Sequence, residues 1–295
     1  MNSILSTKEV ASILGVTESS IKRWADSELI QCVKTPGGHR KFTLDDVNIF
    51  AKTNNYLISG SIKKETEKRE EKLLVSLIGK KDFETIREHF YLLIISGNSG
   101  EIFNFMILMN LNGIDLTEFF DSVLQPALSR LGYEWETNLI SVAEEHAASS
   151  AIFSALSRIP SSVLKKPKTE KSVVLAVIEG DYHEIPVKCI SILLEIEGWN
   201  VRYLGANTPF FSLDSAIKKF KPEAVLISST IRFQSYSDIF EKLISLKTYM
   251  KSYGGKLIVG GKGIIQKDLK FDAVDFWGSD FKSTMKFLNM ISDKP

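Results

Sequence analysis

Val173-Val174-Leu175-Ala176-Val177-Ile178, followed by Glu179-Gly180-Asp181-Tyr182-His183-Glu184-Ile185-Pro186, is the stretch on which the fold turns. The unbroken apolar run predicts a strand buried on both faces, as in a parallel sheet. Val187 to Ile196 then carries apolar residues at helical spacing. A strand, a short polar loop and a helix make the first half of a βα unit. His183 falls in that loop, at the carboxyl edge of the sheet, where open α/β sheets bind ligands. Imidazole is the commonest protein ligand for a transition metal, and Asp181, two residues earlier, can hold its second nitrogen.

Strand-like runs recur downstream at 199–204, 223–229, 256–260 and 273–277, with helical patterns between them and after Asp280. Together with 172–178 these five units predict a flavodoxin-like, doubly wound α/β domain over 172–295. Two more sheet-edge loops deserve chemistry. Ser228-Ser229-Thr230 ends the third strand, and Gly260-Gly261-Lys262-Gly263 follows the fourth, where missing side chains let a ligand approach backbone.

Upstream, the polar, proline-bearing segment 161–171 reads as a linker. Before it, apolar residues recur at helical spacing near 70–79, 82–96, 99–112, 116–132 and 138–158, punctuated by Gly97, Gly100 and Gly113. Short connections between such helices predict a four-helix bundle over 73–160. One constellation within it is not core-like: Trp135, expected in a loop, and Glu145-His146, expected in the next helix. The mixed-charge segment Lys63–Lys72 has no apolar face, and 57–72 reads as a second linker.

Residues 1–56 carry a different pattern. Ser6-Thr7-Lys8-Glu9 is a capping box, the helix it starts presents Val10, Ala11 and Leu14, and Gly15 stops it. Thr17 caps a second helix, with Ile21 and Trp24 inward and Lys22 and Arg23 outward. That is a helix-turn-helix. Pro36-Gly37-Gly38 then turns a short hairpin whose tip carries His39, Arg40 and Lys41, and a third helix begins near Asp45. Such a head predicts DNA binding, with the second helix in the major groove and the hairpin on phosphates; Lys22, Arg23, His39, Arg40 and Lys41 are the expected contacts.

Bulk composition bounds what remains. The 295 residues carry a net charge of +1, so nucleic-acid affinity must be local. Two distant cysteines, Cys32 and Cys189, argue against a disulfide scaffold and fit a reducing compartment. No apolar run is long enough to span a membrane and no signal pattern opens the chain, so a cytoplasmic location is expected. Neither a nucleophile–base pair nor hydrolase-type metal spacing is present, which argues against an independent enzyme.

Gly15-Val16-Thr17-x-x-x-Ile21-x-Arg23-Trp24 and Thr35-Pro36-Gly37-Gly38-His39-Arg40-x-Phe42 together resemble the winged DNA-binding domain of the MerR family. The chain departs from that family after the tryptophan, where Ala25-Asp26-Ser27-Glu28-Leu29 replaces the usual Glu-Arg-Arg-Tyr-Gly. With Trp135-x9-Glu145-His146 and Asp181-x-His183 added, the whole chain resembles the CarH/LitR group of MerR-type regulators. That resemblance implies an adenosylcobalamin sensor. His183 would be the lower cobalt ligand, oriented by Asp181; Ser228, Thr230, Gly260 and Gly261 would line the nucleotide-tail pocket; and Trp135, Glu145 and His146 would line the cap around the adenosyl group. It also implies operator DNA as partner, a tetramer in the adenosyl form, and release from DNA when light breaks the cobalt–carbon bond. Two residues depart from it: Glu136 stands where photosensory members carry a histidine, and Pro186 where the cobalamin motif has glycine. Two other readings stay open at this point. One is a cobalamin-independent regulator of the same architecture, which Pro186 favours; the other is a corrinoid methyl carrier, which the winged head disfavours.

Overall fold

The computed structural model describes residues 4–54, 72–231, 237–263 and 273–292. The linker expected at 57–72 lies almost wholly outside them. The chain divides into two compact units, Met1–Ser76 and Leu77–Pro295.

In the first unit, helices α1 (Thr7–Leu14) and α2 (Glu18–Asp26) form the helix-turn-helix. Ser6 and Glu9 complete the capping box on α1, Gly15 closes it in a left-handed conformation (φ 63°), and Thr17 caps α2 through the amide of Ser20. Strands β2 (Val33–Lys34) and β3 (Arg40–Thr43) make the wing, and α3 (Leu44–Thr53) follows, capped by Thr43. One strand was not foreseen: β1 (Ile4–Ser6) pairs antiparallel with β3, so the wing is the outer part of a three-stranded sheet. Three residues before a helix cap carry no alternation that periodicity could detect. Val10, Ile21, Ile30, Phe42, Val47 and Phe50 fill the core, with the Trp24 ring against Phe50 at 4.9 Å.

The second unit begins at Leu77, within helical residues 72–79, and continues with α4 (Phe83–Ile95) and α5 (Ser99–Leu111). A longer rod follows: α6 (Leu116–Phe119), a π-helical turn (Phe120–Leu124) and α7 (Gln125–Glu136). Helix α8 (Val142–Arg158) completes the bundle. Phe90, Phe105 and Phe119 form its aromatic centre, with Phe90 and Phe119 edge-to-face at 5.2 Å. The rod exceeds the expected 116–132, because Gly132 lies within it and the chain turns only at Asn138, which takes the left-handed conformation (φ 59°). Trp135 therefore stands on the last turn of a helix rather than in a loop.

After the linker, β4 (Ser172–Ile178), β5 (Asn200–Thr208), β6 (Ala224–Ser228), β7 (Lys256–Gly260) and β8 (Phe276–Gly278) form a parallel sheet in the order β5-β4-β6-β7-β8. This is the doubly wound, flavodoxin-like order, with its switch point beside β4. Val174, Ala176 and Ile178 pack toward α10 (Phe210–Phe220) and α11 (Ser237–Lys251). The alternate residues Val173, Leu175 and Val177 are equally buried and face the other side, where α9 (Ile185–Ile196) packs on β4 and β5 and meets α12 (Phe281–Ser292). Pro186 sits in the first turn of α9, where its missing N–H costs nothing.

Bundle and sheet are fastened by the rod. The π-helical turn brings the Asp121 carboxylate to the start of α12, where it accepts from the amides of Phe281 (2.8 Å) and Lys282 (3.0 Å). Further along, Ser129 Oγ receives a hydrogen bond from Lys262 Nζ at 2.9 Å. Helix α8 packs directly on α9. Replacing Asp121 with alanine orphans two helix-start amides. It is expected to destabilise the protein by about 1–2 kcal/mol, in the range of a lost N-cap, read as a lower urea midpoint at unchanged slope.

Candidate functional site: a histidine loop at the sheet edge

The loop after β4 is ordered by one carboxylate. Asp181 has no exposed surface. Its Oδ1 accepts from the His183 amide at 2.9 Å and pairs with His183 Nδ1 at 2.8 Å. Its Oδ2 accepts from the amides of Thr230 and Ile231, in the loop after β6. Burial pushes the carboxyl pKa up, but the bonds from His183, Thr230 and Ile231 together outweigh it and hold Asp181 below the ordinary value. A charged acceptor is therefore kept inside the protein, which is tolerable because every lone pair in use faces a donor.

His183 is the outward half of the pair, its side chain 59% exposed. The bond to Asp181 raises the imidazole pKa against the opposing effect of burial, and the charge of Glu145 raises it further. With Nδ1–H donated to Asp181, Nε2 is left with its lone pair outward, the arrangement that a carboxylate on the other ring nitrogen imposes on metal-binding histidines. Glu145 lies in the first turn of α8.

The cap residues are less closely gathered. Glu145 Oε1 receives a hydrogen bond from Ser149 at 2.6 Å, and its Oε2 pairs with His146 Nδ1 at 2.6 Å. His146 is otherwise exposed, and Trp135 is 43% exposed at the end of α7, an unusual degree of exposure for an indole unless something covers it.

The glycines behave differently from the expectation that they open the edge for a ligand. A Cβ on Gly261 would lie 2.2 Å from the Ser229 carbonyl oxygen, and one on Gly263 2.0 Å from that of Ile231. Gly260 has more room, with a Cβ there 3.0 Å from the Gly278 carbonyl oxygen. What their missing side chains admit is the neighbouring backbone, fastened by Ser229 N–H to Gly260 O (3.0 Å) and Gly263 N–H to Ser229 O (2.8 Å). Ser228 is buried at the strand end, and Thr230 contributes its amide to Asp181.

The donor set suits a cobalt carried in a corrin ring. Among the described residues no cluster of three or more metal-binding side chains exists. A metal already held by a macrocycle needs from the protein only an axial ligand, and His183 presents one.

In the first unit, Lys22 and Arg23 are exposed on α2 and His39 is exposed at the wing tip, where Thr35 accepts the amides of both Gly38 and, through its hydroxyl, His39. Lys41 is half-buried on β3. Arg40 is differently engaged. Its Nη2 lies 2.5 and 2.7 Å from the two Asp26 oxygens, and Lys34 Nζ approaches the same carboxylate at 3.5 Å. The Arg40–Asp26 bond lowers the Asp26 pKa. Arg40 thus fastens the wing to the end of α2. No sequence count of basic residues could reveal that one of them is already paired.

Comparison with known proteins agrees with this anatomy. A family model described as a helix-turn-helix domain matches residues 4–55, and two described as B12 binding domains match 104–159 and 171–281. The HTH-type transcriptional repressor CarA of Myxococcus xanthus is 31% identical over 39% of this chain and 38% of its own length. CarH of the same organism is 30% identical over 43% of this chain and 42% of its own. Trimethylamine corrinoid protein 1 of Methanosarcina mazei is 23% identical over 56% of this chain and 78% of its own length. The monomethylamine corrinoid protein of Methanosarcina barkeri superposes with a TM-score of 0.57 at 17% identity, covering 70% of this chain and 99% of that one, a likeness of fold. The matched segments span about two fifths of the two repressors. CarA and CarH are homologues of this chain, which joins a helix-turn-helix to a helical B12-binding cap and a Rossmann-like parallel sheet.

Proposed function

We propose that this chain is a DNA-binding transcriptional regulator whose hold on operator DNA is set by adenosylcobalamin, with His183 as the lower cobalt ligand. The observation that carries the reading is His183 itself, its Nε2 turned outward from a buried Asp181, in a chain that begins with a winged helix-turn-helix. A methyl carrier could use the same histidine but has no use for the head. Lys22, Arg23, His39 and Lys41 are the proposed DNA contacts, and Arg40 acts by holding the wing in place. Trp135, Glu145 and His146 are the proposed lining above the corrin. When bound, the cofactor would supply a light-labile cobalt–carbon bond. Light is the proposed signal, and loss of the adenosyl group would remove what Trp135 packs against. Because Glu136 replaces the histidine of photosensory members, no new ligand from that position follows. A homo-oligomer, a tetramer in the adenosyl form, is the proposed DNA-binding form.

A cobalamin-independent regulator is the second reading. The close backbone contact between Gly261 and Ser229, together with Pro186, favours it. The two separate in one experiment. Protein mixed with adenosylcobalamin in the dark and desalted should keep a His-ligated, base-off visible spectrum, change it under green light, and lose operator DNA in a mobility-shift assay. A colourless protein that still binds DNA would establish the second reading.

Two further sets of outcomes follow, from substitution and from pH. Lys22→Ala with Arg23→Ala should weaken binding to operator DNA and narrow its margin over unrelated DNA in a mobility-shift assay, with cobalamin uptake unchanged. His183→Ala should remove the His-ligated spectrum. The second set concerns pH. Because the His183 pKa is raised, the His183–Asp181 charge pair stabilises the apo fold below the ordinary histidine value and is lost as pH rises through the raised one. Cobalt competes with that same proton, so cobalamin affinity should fall about tenfold per pH unit once pH drops below the raised value, measured by spectral titration.

A further inference from the structure

Asn207 lies on neither the cap nor any sheet-edge motif, yet it makes three hydrogen bonds to the His183 loop, one more than Thr230 and Ile231 make together. It stands near the end of β5, the strand beside β4. The β4–β5 ladder runs regularly from Ser172↔Asn200 to Leu175↔Tyr203, then slips twice, between Leu175 and Ala176 and between Ala176 and Ile178. Gly205 (φ 84°) and Asn207 (φ 49°) take left-handed conformations in the slipped segment. Bulges of this kind re-aim side chains and collect beside functional sites. Asparagine is the non-glycine residue that tolerates the left-handed region best.

The consequence is a three-point grip. The Asn207 amide donates to the Asp181 carbonyl at 2.8 Å. Its side-chain Oδ1 accepts from the Gly180 amide at 2.8 Å, and its Nδ2 donates to the Tyr182 hydroxyl at 3.1 Å. Gly180, Asp181 and Tyr182 are the three residues that lead into His183. Oδ1 must face the Gly180 amide because that group can only donate, so the orientation of the carboxamide is fixed by its partners. Asp181 sets the imidazole ring, while Asn207 sets the backbone from which both residues project. Tyr182 is 70% exposed, so without this bond nothing among the described side-chain contacts would hold its ring.

We infer that Asn207 is a positioning residue for His183: the bulged end of β5 holds the histidine loop in the conformation that presents Nε2 to a corrinoid. The inference rests on the cobalamin reading for its ligand but on the apo geometry for its mechanism. Asn207→Gly is the informative substitution, because glycine adopts φ 49° without strain and retains the backbone bond while deleting both side-chain bonds. In the full chain, N207G should bind hydroxocobalamin roughly 10–100-fold more weakly, the range seen for residues that support a metal ligand, with a smaller His-ligated fraction in the visible spectrum. In the apo protein, the Gly180 amide of N207G should exchange with deuterium about tenfold faster or more, having lost its acceptor. Asn207→Asp, which keeps an acceptor for Gly180 and one for the tyrosine hydroxyl, should restore both readouts.

Equal affinity, spectrum and exchange in N207G and the parent would overturn the inference. If the parent chain takes up no hydroxocobalamin, the cobalamin reading fails by itself, and the exchange measurement still decides whether Asn207 orders the loop. Tyr182→Phe provides a second test at an exposed hydroxyl that cannot unfold the chain. Amide exchange at Tyr182 and His183 should rise several-fold, and no change would overturn the grip on the tyrosine.

Discussion

A carboxylate removed from water must be either neutralised or surrounded by donors, and the sheet edge is built around the second solution. Asp181 takes one set of bonds from its own loop and another from the loop after β6. It thereby carries past the strand ends the pairing of β4 with β6, tying together the two loops that follow them. His183 inherits its direction from this arrangement. The imidazole can stay largely exposed without wandering, because its anchor is fully buried.

The glycine-dense loop after β7 serves the same end. Gly261 and Gly263 admit the backbone of Ser229 and Ile231, so that the loop donating to Asp181 is itself braced from behind. Larger side chains there would displace the very amides that satisfy the buried charge. Glycine at these positions is thus required by the packing alone, whatever ligand the edge receives. This tempers the argument from motif to pocket: three glycines in a sheet-edge loop are compatible with a ligand, but the fold already needs them.

Much of this was legible in the sequence. The continuous apolar run of β4, the alternation of strands with helical periods, the capping box at Ser6 and the Pro-Gly-Gly turn each express a local rule, and local rules survive without knowledge of the tertiary partner. The Asp181–His183 pairing was legible for the same reason, being two residues apart. What escaped depends on distant partners. Asn207 meets its loop from 27 residues away, Asp121 caps a helix 160 residues downstream, and Asp26 quiets an arginine 14 residues on. In the first two cases the local pattern looks ordinary, an asparagine late in a strand and an aspartate in a helix. The β-bulge that turns Asn207 toward β4 had one visible trace, Gly205 inside a strand pattern, since an isolated glycine there marks a bulge or a close approach. Following that signal would have lengthened the strand predicted at 199–204 and exposed the residue.

A ligand can alter a protein only through contacts that differ between its states. Within the second unit, the element best placed to register such a difference is the rod from Leu116 to Glu136. It ends at half-exposed Trp135. It is fixed to the sheet layer at Asp121, through the start of α12, and again at Ser129, through Lys262. These fastenings are not equivalent. The Asp121 contact is partly buried, uses two backbone amides, and lies where the π-helical turn interrupts the regular helix. The Lys262 contact is a single exposed hydrogen bond from a long side chain, worth little against water. Toward Trp135 the rod is held instead by its own bundle, where the Tyr91 hydroxyl donates to Glu134 and Arg130 Nη1 reaches both Glu88 oxygens at 2.9 Å. A displacement of the bundle would therefore reach the sheet layer chiefly through Asp121, whose two bonds to backbone amides cross between the layers.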